Sequence, residues 1–218
     1  MAATVDRLSV RARALWILAS SITLSPDATA SDPLYTACAG CHGPGGISQA
    51  THIPSIAGLN FRYFYAAMQA FRKDRRPSSV MGRIAKGYKS GQLQRIALHY
   101  GSQSWSGHPA EADPELAARG ALLHAESCEK CHKNNGWFQD HETPPLAGQA
   151  QGYLFYQMQD YREPAPAMRQ PPLMQERLEK LTDEDLLALS AYYASGPARP
   201  SSPLAENGSQ QGRHQAGP

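Results

Sequence analysis

The sequence predicts an all-α fold in which one small helical unit is repeated in tandem. Two observations carry this reading. The first is an internal repeat. Cys38-Ala39-Gly40-Cys41-His42 recurs as Cys128-Glu129-Lys130-Cys131-His132, an offset of 90 residues. Downstream landmarks keep that offset: Pro54-Ser55-Ile56-Ala57-Gly58 pairs with Pro144-Pro145-Leu146-Ala147-Gly148, and Tyr63, Met68, Gln69 and Arg72 pair with Tyr153, Met158, Gln159 and Arg162. The offset then becomes 93, matching Met81 with Met174, Leu93 with Leu186 and Tyr100 with Tyr193. The second copy therefore carries about three extra residues, in the proline-rich stretch 163–172. The second observation is the spacing of apolar residues. Leu186, Leu187, Leu189 and Tyr193 recur at helical intervals, and no stretch alternates as a half-buried strand would.

The elements follow in chain order. Arg7, Arg11 and Arg13 precede a short apolar run, 14–24, and Ala28-Thr29-Ala30 fits a small-x-small cleavage site. Residues 1–30 are therefore expected to be a secretory signal peptide, with export to the periplasm. The run is too short for a membrane span, so no span is expected in the mature protein. The first unit is expected over 31–107 and the second over 108–197, joined near Gly107-His108-Pro109-Ala110. Each has a short helix running into its cysteine motif. In the second unit Asp113-Pro114-Glu115 supplies a capping aspartate and a proline at the first helical position. Middle helices are expected over 59–72 and 151–162. The last helix of the second unit is expected to start at Thr182, with Asp185 closing a variant capping box. The tail, 198–218, is rich in Pro, Ser, Gly and Gln and has few apolar residues to bury, so it is expected to be disordered.

Composition bounds the function. Hydrophobic residues make up 41% and charged residues 18%, which is globular rather than disordered. The formal net charge of +2 and the absence of a basic run argue against nucleic acid as a partner. Units of this size lie near the lower limit for an independent apolar core, so a large apolar cofactor would help each one fold.

The four cysteines all fall in C-x-x-C pairs followed at once by histidine, the attachment signature of c-type haem. Two cysteines three apart share a helical face and can form thioethers to one porphyrin. The next histidine reaches the iron. Cys38 and Cys41 with His42 are therefore assigned to a first haem, and Cys128 and Cys131 with His132 to a second. A shared zinc site would want about 15–20 residues between pairs, and a thioredoxin-like motif would want a βαβ context; neither fits. Met81 and Met174 hold equivalent places in the repeat and are the expected distal iron ligands, since His/Met ligation suits electron transfer. Met68 and Met158 read as core residues. Pro54 and Pro144 each stand 16 residues after the first cysteine of their motif. Each can present a carbonyl to the proximal imidazole and fix its orientation. His52, His99, His108, His124, His141 and His214 read as surface or packing residues. Tyr100 and Tyr193 are expected to anchor each terminal helix.

With these residues in view, the layout resembles dihaem class I cytochromes of the c4 type. More specifically it resembles the cytochrome subunit of flavocytochrome c sulfide dehydrogenase. The residues carrying this resemblance are Val80-Met81-Gly82-Arg83-Ile84-Ala85-Lys86-Gly87-Tyr88 in the first unit. In the second they are Gly120-Ala121, Leu123-His124, the motif 128–132, Ala147-Gly148-Gln149 and Tyr161-Arg162-Glu163. The resemblance covers nearly all of 33–195. It implies two tandem class I cytochrome c domains holding two covalent haem c groups. It also implies a heterodimer in which FAD sits on a separate sulfide-oxidising subunit, and a soluble cytochrome c as electron acceptor. The chain itself would then be the non-catalytic electron-transfer subunit. It has no G-x-G-x-x-G after a strand and no spare cysteine for the flavin chemistry. The proline-rich stretch 163–172 departs from the pattern and places another methionine, Met168, near the ligand position. The alternatives are a free-standing c4-type shuttle to a terminal oxidase and, in a different class, a haem sensor with one open coordination site.

Overall fold

The computed structural model describes residues 32–163 and 172–199. The expected signal peptide, Met168 and nearly all of the expected tail lie outside the described residues. Those described are helical, with no strand among them. The helices are α1 (Pro33–His42), α2 (Phe61–Arg72), α3 (Met81–Lys86), α4 (Ser90–Gly101), α5 (Pro114–Leu123), α6 (Gln151–Arg162), α7 (Pro172–Leu178) and α8 (Asp183–Ala194).

The caps explain where helices begin. Asp32 accepts from Leu34 N ahead of Pro33, and Asp113 accepts from Glu115 N and Leu116 N ahead of Pro114. At α8, Thr182 and Asp185 form a reciprocal capping box. Asn60 caps α2 and moves its start to Phe61, two residues inside the span read from periodicity.

Two apolar clusters form. In the first, Leu93, Ile96, Ala97 and Tyr100 of α4 pack on Phe64 and Met68 of α2 and on Ala85 of α3. In the second, Leu186, Leu189 and Tyr193 of α8 pack on Leu154 and Met158 of α6 and on Leu178 of α7. α5 lies directly on α8: a Cβ on Gly120 would stand 2.1 Å from the Ala188 carbonyl oxygen. Only glycine permits that approach.

The repeat is visible in individual hydrogen bonds. Ile56 N and Ala57 N donate to Gly46 O at 2.8 and 3.1 Å, and Leu146 N and Ala147 N donate to Gly136 O at the same 2.8 and 3.1 Å. Gly58 N donates to Tyr100 O and Gly148 N to Tyr193 O, at 2.8 and 2.7 Å. The two halves are also tied together, and all described residues belong to one compact unit that begins at Asp32. Buried Gln149 reaches from the second half into the first, accepting from Ser55 N at 2.8 Å and donating to Ser55 O at 3.1 Å. Gln139 does likewise, accepting from Asn60 N and donating to Gly58 O, both at 2.9 Å. Trp105 Nε1 donates to Ala147 O at 3.0 Å.

Candidate functional site

In the first half the motif lies on α1. Cys38 and His42 are one helical turn apart, so they share a face. Cys38 packs against the first cluster, and His42 is buried. Cys41 lies on the exposed side. His42 Nδ1 donates to Pro54 O at 2.7 Å. That bond fixes the ring and leaves Nε2 as the free, lone-pair-bearing nitrogen. Burial pushes the His42 pKa below its ordinary value, against a smaller opposing effect of the Pro54 carbonyl, so the ring is neutral at pH 7. Met81 opens α3 and is half-buried against the same cluster.

The second half has the same donors on a different backbone. α5 stops at Leu123, a π-turn runs from His124 to Cys128, and the chain continues in turns through Gly136. The short helix expected to run into this motif does so, with its last turn, up to Cys128, wound as a π-turn. His124 is buried, its Nδ1 pairs with the Tyr193 hydroxyl at 2.8 Å, and its Nε2 engages the Glu129 carboxylate. In the first half the equivalent hydroxyl, on Tyr100, instead donates to the Tyr35 carbonyl at 2.9 Å. His132 Nδ1 is buried and has no hydrogen-bond partner among the described residues, and no bond to Pro144 forms. Burial, with a smaller effect from His124, pushes the His132 pKa down to about 4. Cys128 packs on the second cluster and Cys131 is exposed, as in the first half. Met174 lies on α7 against the second cluster.

The four cysteines are unpaired with one another. Burial raises the Cys38 and Cys128 thiols above their ordinary value, so neither is a reactive thiolate. The donor set in each half is therefore two thiols, one neutral imidazole and one thioether beside an apolar cluster. In the second half it also includes an orphaned buried ring nitrogen. This chemistry fits a covalently held haem c. Fit for zinc is poor, because the described residues contain no metal-sized cluster of His, Cys, Asp or Glu.

The comparisons agree with this chemistry. The cytochrome c family model matches residues 117–196. Cytochrome c4 from Thiocapsa roseopersicina is 31% identical over 165 residues, covering 71% of this chain and 84% of that one. This chain belongs to the cytochrome c4 family. It carries covalent haem c and works in electron transfer. The thiosulfate dehydrogenase electron acceptor of Thiomonas intermedia is 26% identical, covering 78% of this chain and 83% of its own. The cytochrome subunit of sulfide dehydrogenase from Chlorobaculum tepidum is more similar but over less of the chain: 43% identical over 75 residues, 34% of this chain and 67% of that one. The crystal structure of reduced cytochrome c4 from Pseudomonas stutzeri superposes with a TM-score of 0.62 at 28% identity, covering 73% of this chain and 93% of that one. The fold is thus that of the tandem class I cytochromes c.

Sequence reasoning took Val80 and Ile84 only as carriers of the resemblance and passed over Leu173 and Arg76. Val80 and Leu173, each directly before an expected ligand methionine, are 52% and 40% exposed. They occupy equivalent repeat positions, and their register with Met81 and Met174 was the available signal. Ile84 adds to the first of these apolar rims, at 40% exposed. Of the basic residues beside Met81, Lys86 is paired with Asp74 at 2.7 Å, while Arg83 and Lys89 are exposed. Arg76, which is buried, carried no local signal, and buried Gln149 stood only among the residues that carry the resemblance.

Proposed function

We propose that this chain is a periplasmic dihaem carrier that accepts electrons one at a time from the FAD-bearing subunit of a sulfide dehydrogenase and passes them to a soluble cytochrome c. When bound, each haem supplies an iron that gains and loses one electron. In this reading the domains are 31–107 and 108–197. Cys38 and Cys41 hold one haem and Cys128 and Cys131 the other, with His42 and Met81, and His132 and Met174, as axial ligands. Pro54 orients His42 through its carbonyl. Pro144 takes the same role for His132 once attachment of the haem draws that ring into the register His42 already holds. The observation that carries the reading is the duplicated site: equivalent donors and equivalent loop hydrogen bonds recur in both halves of one compact unit.

The rims support the partner assignment. Val80 and Ile84 in the first half, and Leu173 in the second, offer exposed apolar contact beside each expected ligand methionine. Such contacts supply affinity at a docking surface, while Arg83 and Lys89 would set orientation. The identity of 43% with a sulfide dehydrogenase cytochrome subunit favours that donor. A second reading, a free-standing c4-type shuttle, is favoured by the relatives that span most of the chain. Among the described residues no helix is long and apolar enough to cross a membrane, which suits either role. Native purification separates them. Co-elution with a flavin-containing polypeptide that reduces this chain with sulfide supports the heterodimer. Isolation of the chain alone, with no flavoprotein reducing it, returns it to the shuttle reading.

A further inference from the structure

The surfaces around the two expected ligand methionines are copies of one another with the charge reversed. Three equivalent repeat positions carry the reversal: Lys73, Arg83 and Lys86 in the first half stand where Glu163, Glu176 and Glu179 stand in the second. Lys73 and Glu163 follow directly on α2 and α6. Arg83 and Lys86 lie on α3 with Met81, while Glu176 lies on α7 with Met174 and Glu179 directly follows it. All six are exposed. The same inversion runs through each half. Residues 32–107 hold nine Lys and Arg against two Asp and Glu, a net +7, and residues 108–197 hold seven against fourteen, a net −7. The formal charge of +2 for the whole chain conceals this.

Ion pairs within each half do not cancel it. Both acids of the first half are already paired, Asp32 with Arg95 and Asp74 with Lys86, each at 2.7 Å. Lys73, Arg75, Arg83 and Lys89 are exposed and form no ion pair among the described residues. Arg76 adds nothing to this face, because it is buried against Tyr153 and Gln157 of α6. In the second half Glu176 holds Lys180 at 2.7 Å, whereas Glu163, Glu179 and Glu184 form no ion pair among the described residues.

The basic residues share one surface. The Lys86–Asp74 pair joins α3 to the residues after α2, and Arg72 reaches Ser90, the first residue of α4, at 2.7 Å. Val80 and Ile84 lie exposed on the same stretch. Apolar side chains set among charges of one sign fit a transient protein partner of the opposite sign. Such fields raise association rates by about 10–10³, and like charges brought together exclude the wrong partner.

We propose that the two faces sort redox partners by charge: the face around Met81 seats an acidic protein and the face around Met174 a basic one, so that a donor and an acceptor of opposite charge do not compete for one face. This rests on the dihaem carrier reading. A mature chain without the mass of two haems fails that reading, whereas the sorting fails on the rates below in a chain that holds both.

The test uses reduced full-length holo-protein and two protein oxidants as probes, acidic plastocyanin and basic mitochondrial cytochrome c, each taking one electron from a ferrous haem in stopped flow. Both rates should fall as salt is added. In Lys73→Glu/Arg83→Glu the plastocyanin rate should fall about tenfold at low salt while the cytochrome rate rises. In Glu163→Lys/Glu176→Lys the cytochrome rate should fall by a similar factor and the plastocyanin rate rise. The wild type gives a second readout. With every metal reduced, amide ¹⁵N resonances of α3 should shift on adding plastocyanin, and those of α7 on adding the cytochrome. One pair of substitutions that slows both probes, or both probes shifting the same helix, would overturn the proposal by showing a single shared face. So would a salt-sensitive dimer in sedimentation, in which a second copy covers each face with the other.

Discussion

Replacing Gln149 by alanine should loosen the tie between the two halves and so uncouple their unfolding. The side chain is buried and spans the interface by two hydrogen bonds to one residue, Ser55 N at 2.8 Å and Ser55 O at 3.1 Å. It also accepts from Ala150 N at 2.9 Å. Ser55 is buried as well, at 4% exposed, so water cannot replace what is lost. Leaving a buried donor and a buried acceptor unsatisfied costs about 1–3 kcal/mol each, and a total of about 3 kcal/mol is a conservative sum. For a chain of this size that corresponds to a melting point lower by about 6–12 °C. The assay is thermal and guanidinium unfolding of the holo-protein, followed by helix signal and by haem absorbance. Wild type should unfold in one transition, and Gln149→Ala should separate the probes into two, because the clusters of the two halves share little besides this interface. A loss below about 1 kcal/mol with the probes still coincident would refute the idea that this clamp couples the halves.

Other expectations follow from single contacts. Gly120→Ala should cost about 1–3 kcal/mol or more, measured by denaturant midpoint, because the new Cβ would sit 2.1 Å from the Ala188 carbonyl oxygen and must push α5 off α8. Asp185→Asn should cost about 1 kcal/mol at pH 7, through loss of the α8 capping box. The Asp185 pKa is held below its ordinary 3.8, first by the Thr182 backbone N–H and also by Arg119. Its contribution is therefore complete above pH 3.8 and lost as pH falls through the lowered value, so the difference between variant and wild type should close in that acid window. Met81→Ala and Met174→Ala should each remove roughly half of the near-infrared sulfur–iron band and lower the potential of one haem, while Met168→Ala leaves the band intact.

Much of the site was legible because covalent chemistry leaves a rigid trace. A C-x-x-C-H motif has few meanings, and a second copy 90 residues on turned one assignment into a duplicated layout. Helix starts at Asp113-Pro114 and Thr182 were legible because capping is local. What escaped was decided by contacts between distant residues. Arg76 stands in Asp74-Arg75-Arg76-Pro77, which reads as a solvated charge run. Only the approach of α6 buries it. Gln149 was visible as part of Ala147-Gly148-Gln149, yet nothing local says that its amide will pair with Ser55, 94 residues away. The π-turn at His124–Cys128 was hidden too, since Ala121-Leu122-Leu123-His124 reads as unbroken helix. It sits where the buried His124 ring is held at Nδ1 by Tyr193, 69 residues away, and at Nε2 by Glu129.

The central claim is that one chain holds two one-electron centres, both closed to exogenous ligands. Anaerobic coulometric titration of the mature holo-protein, with carbon monoxide added at the reduced end, tests it most directly. Uptake of two electrons per chain in one-electron steps, with a ferrous spectrum unchanged by carbon monoxide, is the predicted result. Uptake of one electron per chain, or a carbon monoxide adduct at either haem, would contradict it.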